Sequence, residues 1–211
     1  MTNLKKLLLN ASGPLCTHAP ELSGQLHNSA GMLIDDLLAM LQYRNGFYAF
    51  EGALHVFPTH SEEREMGLES WNDNGLWRSA YAELVDGCLF FAEDIFGGQF
   101  CIKGNKIYTF EPETGTLDYL ADDIDTWAQV VLDDYEVLTG YPLAHQWQKL
   151  NGQLPPQTRL LPKIPFVVGG GFVLDNMRLS NSVEGMKFRA DIANQIKDLP
   201  NGTRISLNIT D

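Results

Sequence analysis

Four carboxylates, Glu93, Asp94, Glu111 and Glu113, are the residues best suited to chemistry. Glycoside hydrolysis needs one carboxyl held protonated beside another that is ionised, and this pair of acidic steps could supply both. Asp94 stands just before Gly97-Gly98 at a strand end, where an aspartate ordinarily accepts turn amides. A hydrolase built on these sheet-end carboxylates is therefore the alternative to a structural reading. The histidines, His18, His27, His55, His60 and His145, are scattered, and none falls in HExxH or a tight His/Cys/Asp cluster. They read as structural or surface residues, with a metal site assembled in space as the exception. Val168-Gly169-Gly170-Gly171 follows an apolar run, as phosphate loops do. It lacks GxxxxGK[ST] and GxGxxG, and Phe172-Val173-Leu174 does not open a helix, so it reads as a glycine-rich turn. GxSxG is absent as well. No catalytic residue, metal ligand set or cofactor site is assigned, and the chain is expected not to be an enzyme.

Acidic charge is the stronger signal. The net charge is −12, and it is unevenly spread. Residues 1–106 hold thirteen acids and seven bases, 107–148 nine acids and no base, and 149–211 five acids and eight bases. A phosphate backbone is repelled by such a middle segment, so nucleic acid is not an expected partner and a basic protein is. Asp122, Asp123 and Asp125 open a helix, where they cap amides and match the dipole. Asp133, Asp134 and Glu136 sit toward its carboxyl end, where the dipole opposes them. On a helical wheel Asp125, Gln129, Asp133 and Glu136 lie opposite the Ile124/Trp127/Val131/Tyr135 stripe, a continuous acidic face. Glu111, Glu113, Asp122, Asp125, Asp133, Asp134 and Glu136 form the candidate partner-binding set.

The elements that must position these residues are legible in part. The 211 residues fit a single domain with enough apolar content for a core. Cys16, Cys88 and Cys101 form no CxxC and read as small buried hydrophobes in a reducing compartment. Lys5-Lys6-Leu7-Leu8-Leu9 is too short an apolar run for export, and no stretch is long enough to span a bilayer, so a cytoplasmic protein is expected, with no membrane partner. Leu33, Ile34, Leu37, Leu38 and Leu41 predict a helix over Gly31 to Tyr43. Two short runs around Glu51-Gly52 predict a hairpin or a bent strand, and Trp71 to Leu84 a second helix. From Phe90 to Phe110 the chain reads as strands, with Gly104-Asn105 as a primed turn that sets Ile102 opposite Ile107 and Phe100 opposite Thr109. Both faces of this meander carry bulky groups, so the sheet is expected to be covered on both sides. A helix follows from Asp122 to Leu138, ended by Thr139-Gly140 and Pro142. Beyond it come a proline-punctuated connection into an edge or late strand at Phe166-Val167-Val168, a helix from Val183 to Leu199, and a strand from Thr203 to Ile209. Without regular βα alternation the class is α+β, with helices around one largely antiparallel sheet. Apolar strand edges leave a homo-oligomer open.

Asn45-Gly46-Phe47-Tyr48-Ala49-Phe50, the Phe90 to Phe110 block, Glu111 to Gly115 and the Trp127 helix together resemble the SUKH superfamily (Smi/Knr-like proteins), in order and over about half of the chain. The resemblance implies an α+β fold with a central mixed sheet wrapped by helices. The core would lie at residues 28–150 and a C-terminal αβ extension at 151–211. It also implies an immunity-type protein that neutralises a toxin domain, often a nuclease, by binding it, with no catalytic residue or cofactor. A regulatory adaptor differs from this only in its partner.

Overall fold

The computed structural model describes residues 1–24, 26, 31–200 and 202–203. His27 lies outside them, as does the strand expected from Thr203 to Ile209 apart from Thr203 itself. Six strands form the main sheet: β1 (Phe47–Ala49), β2 (Leu54–Val56), β3 (Leu89–Glu93), β4 (Gln99–Lys103), β5 (Lys106–Glu111) and β6 (Thr116–Ala121). They pair in chain order as a meander. Every pair is antiparallel, so the class is α+β as expected, while no parallel pair of a mixed sheet occurs among the described strands. For four of the five pairs the reason is local: connections of two to five residues are too short to carry a crossover and force antiparallel neighbours. The connection over residues 57–88 is long enough for one, yet it returns β3 antiparallel beside β2.

Gly104 and Asn105 both take positive φ, 55° and 65°, which a primed turn requires. The register follows from it, Ile102 opposite Ile107 and Phe100 opposite Thr109. In the first hairpin Phe50, Glu51 and Gly52 all take positive φ.

Helices cover both faces. On one, α4 (Ile124–Asp133) lays Trp127 edge-on against Phe91 and Phe100, at centroid distances of 5.1 and 5.7 Å, with α1 (Asn3–Leu9) and α2 (Ile34–Tyr43) packed beside it. The other face holds Trp71, Trp77, Tyr81, Phe90 and Phe110 in one chain of ring contacts. The helix predicted from Trp71 to Leu84 is instead the four-residue α3 (Leu68–Trp71) and a 3-10 segment, Arg78–Val85, broken at Ala82 with φ 50°. Helical spacing is present, but Asn72-Asp73-Asn74-Gly75 makes its own turn bonds, such as Gly75 N–H to Asp73 Oδ1 at 2.6 Å, and these compete with helix continuation.

The helix read as Asp122 to Leu138 also divides. Asp134, with φ −136° and ψ 39°, ends α4 and starts α5 (Tyr135–Leu138). Pro142 does not terminate anything. It stands in the first turn of α6 (Tyr141–Asn151), where its missing N–H costs nothing. Gly140, at φ 69°, makes the corner between them, and a Cβ there would lie 2.6 Å from Ile95 Cγ2.

The remaining described residues include a two-stranded sheet, β7 (Thr158–Pro162) with β8 (Met177–Asn181), and α7 (Ser182–Ile196). Phe166–Val168 is a 3-10 turn and not the expected strand: it opens directly after Pro165 and is closed by Gly169 at φ 97°. Met186, Ala190 and Ala193 of α7 belong to the main core. Ala53, Ile95, Ala144, Leu160 and Met177 make a second cluster beneath the small sheet. All three cysteines are buried and free, and no helix among the described residues is long and apolar enough to cross a membrane.

Candidate functional site

Glu93, Asp94, Glu111 and Glu113 separate into different environments. Tyr48, His55, Glu93 and Gln99 are successive cross-strand partners, so they form one row across β1 to β4 on a single face. Glu93 is 1% exposed. It pairs with Arg159 of β7 at 2.8 Å and with His55 Nδ1 at 3.1 Å, while Trp71 Nε1–H donates to Gln99 Oε1 at 2.9 Å. Tyr48 O–H donates to Glu65 at 2.9 Å and its ring stacks on His55 at 4.5 Å. Burial acts to raise the Glu93 carboxyl, but the Arg159 charge and the bonds from His55 and Gln99 outweigh it and leave its pKa below the ordinary value. Burial also keeps the His55 imidazole neutral, its pKa depressed. This network ties the small sheet to the large one, and the cavity beside His55 and Glu93, about 10 Å³, is too small for a substrate.

Asp94 lies one residue further on, just past the end of β3, and its contacts are those of the turn. Its Oδ1 accepts from Phe96 N–H at 2.7 Å and Gly98 N–H at 2.8 Å, the turn role read from Gly97-Gly98. Arg189 of α7 secures the same turn by donating to Phe96 O at 2.6 Å and Gly97 O at 3.3 Å.

This turn is the floor of an open groove of about 820 Å³, within the size range of ligand sites. Asp94, Glu111, Glu136 and Asp175 bring carboxylates to it, and Phe96, Phe166, Phe172, Val137 and Val173 make its apolar part. Phe166 and Phe172 stack at 3.9 Å, and Phe96 meets Phe172 edge-on at 5.3 Å. Arg189 is the one base among the described lining residues, and its guanidinium is engaged by backbone carbonyls. Asn176 holds the aromatic loop in shape by accepting from Ile164 N–H at 2.8 Å and donating to the Ile164 and Gly171 carbonyls at 3.0 Å each. Gly169-Gly170-Gly171 is the turn of that loop.

The candidate partner-binding acids fare unequally. Glu111 and Glu136 are exposed and line the groove. Asp133 and Asp134 are exposed outside it. Glu113 is only 1% exposed and accepts from Val167 N–H at 2.8 Å, so it anchors the aromatic loop and offers no surface contact. Burial pushes its carboxyl pKa up. Asp122 is engaged by Lys106 and by Tyr119 O–H. Asp125 accepts from Leu4 N–H at 2.9 Å and Asn3 Nδ2–H at 3.1 Å, so it receives the amino end of α1. The face is therefore not continuous: α1 covers its start and the break at Asp134 turns its end.

Asp94 carries a titration signature. Burial and the nearby Glu111 charge raise its pKa to about 7, against the opposing effects of Arg189 and the turn amides. A carboxyl raised in the folded state favours folding fully below its unfolded value, about 4, and that contribution is lost as pH rises toward 7. Asp94→Asn removes the charge that burial penalises. Urea unfolding is expected to show the variant gaining stability over the parent at pH 8, with the gain shrinking toward pH 4.

A scan against family models and a search of curated proteins each gave no match. Among solved structures the fold is similar to Atu4351 from Agrobacterium tumefaciens, with a TM-score of 0.56 and 14% identity, over 87% of this chain and 86% of that one. The likeness extends to the fold.

Proposed function

We propose that this chain is a non-enzymatic protein-binding module of SUKH type, an immunity protein that neutralises a toxin domain by binding a basic surface. The observation that carries it is the groove: four carboxylates around an exposed aromatic stack, with its single arginine already engaged. Acidic lining attracts lysine and arginine, and aromatic faces hold their cationic heads and methylene stems. The site moves accordingly from the acids read along the sequence to the groove, with Glu111 and Glu136 common to both sets. A hydrolase is the second reading, because Asp94 is shifted toward neutrality beside Glu111. Against it, one Asp94 oxygen already accepts two amides, and Glu93 lies in the buried network with Arg159.

Co-expression with a toxin domain encoded in the adjacent reading frame tests the proposal. Co-purification at 1:1, growth protection and weakening of the complex by salt are the expected results. Growth protection without a stable complex, or turnover of a toxin product by this protein alone, would favour the enzymatic reading.

A further inference from the structure

Cys16, His18 and Glu62 bring their ligand atoms within 4.8 Å of one another at the base of the first hairpin. Cys16 Sγ lies 3.6 Å from His18 Nδ1, which lies 3.2 Å from Glu62 Oε1. A tetrahedral zinc ion with Zn–S of about 2.3 Å and Zn–N or Zn–O of about 2.0–2.1 Å has an S···N edge of about 3.6 Å and an N···O edge of about 3.3 Å. Two edges of one metal face are thus already at these lengths, and the third, from Cys16 Sγ to the Glu62 carboxylate, lies within 4.8 Å. We propose that Cys16, His18 and Glu62 form a zinc site, with its fourth position turned toward His60 and solvent.

The scaffold around it is built for position. Two i, i+2 pairs, Cys16-Thr17-His18 and His60-Ser61-Glu62, supply the donors, and Asn45 holds the two segments together. Its carbonyl accepts from Cys16 N–H at 3.0 Å. Its side chain donates to His18 O and to Thr59 Oγ1 at 3.0 Å each, and accepts from Thr59 N–H at 2.9 Å. Asn45 is buried, so this brace is fixed by packing as well as by bonds. His60 sits with its ring centroid 6.3 Å from that of His18, and its Nδ1 is 2.9 Å from Thr59 Oγ1, an interaction that orients the ring and leaves Nε2 for the ion. A surface pocket lined by His18, Ala19, Glu21, His60 and Ser61 gives the ion a route in. Thiolate, imidazole and carboxylate suit zinc better than magnesium or calcium, which take all-oxygen shells. One negative charge from sulfur and one from Glu62 balance the dication, and the thiol proton leaves to solvent on binding. The site would clip the segment after α1 to the loop after β2, and it stands apart from the groove.

Full-length protein stripped with a chelator and titrated with Zn²⁺ against a chromophoric chelator tests this. One equivalent bound, with a raised Tm, is expected. His18→Ala and Glu62→Gln, at side chains that are exposed or partly exposed, should weaken binding at least about 100-fold, since even an outer-shell partner is worth about 10–100-fold. Co²⁺ should give a thiolate charge-transfer band that Cys16→Ser removes. If Cys16→Ser fails to fold, the other two variants carry the test by themselves. Absence of binding at micromolar Zn²⁺, or full retention of it by both His18→Ala and Glu62→Gln, overturns the proposal.

Discussion

Arg159→Ala is expected to destabilise the fold by about 3–5 kcal/mol, because it strands a buried carboxylate. Glu93 and Arg159 are 1% and 2% exposed and lie 2.8 Å apart. Without the guanidinium, Glu93 keeps only His55 and Gln99, and it must either bear an unbalanced charge in a low-dielectric interior or take up a proton. Urea unfolding at pH 7 measures the loss. Pairing the change with Glu93→Gln should recover a large part of it, since the charge that was stranded is then gone, and the double-mutant cycle should give a strongly coupled pair. A loss under 1 kcal/mol for Arg159→Ala would mean that the pair contributes nothing to holding the small sheet on the large one. The pH dependence has a definite sign. Glu93 is depressed in the folded state, so its contribution is present above the ordinary carboxylate range and disappears as pH falls through its folded value. The neutral buried His55, also depressed, favours folding above its ordinary value near 6.5 and loses that contribution in acid. Asp94 works in the opposite direction.

Reversing Glu111 and Glu136 together to lysine should weaken the complex with the basic partner by about 10–100-fold, mostly through slower association and with a flatter salt dependence. Phe172→Ala should cost about 2 kcal/mol of binding, as aromatic anchors at interfaces do. It should leave stability nearly unchanged, because Phe172 is 62% exposed. Reversal of Asp133 and Asp134, exposed but outside the groove, is the control and should change affinity less than about 2-fold. Surface plasmon resonance across a salt series separates these cases. If Asp133 and Asp134 carry the effect and Glu111 and Glu136 do not, the helix end is the docking surface.

How far each of these sites could be read from the chain follows from the distance between its parts. Gly104-Asn105 specifies its own turn, and the pairing of β4 with β5 follows within a few residues. Asp94 as a turn acceptor was legible for the same reason, its partners being two and four residues away. Asp123 capping Thr126 N–H at 2.7 Å is another short-range device. Nothing near residue 93, however, announces Arg159, and nothing near 125 announces that α1 will come to rest on that carboxylate. The polar row of Tyr48, His55, Glu93 and Gln99 exists only once four strands are in register.

The amino-acid sequence by itself determined the α+β class, the meander, the acidic bias and, in outline, the helices near residues 31–43, 122–138 and 183–199, because propensity, period and turn chemistry act over a few residues. Only the tertiary structure decided which acids are free. It buried Glu113, paired Asp122, gave Asp125 to α1 and gathered Asp94, Glu111, Glu136 and Asp175 around three phenylalanines. A charge is available to a partner only if no other part of the same chain has claimed it, and that depends on contacts made across the whole fold.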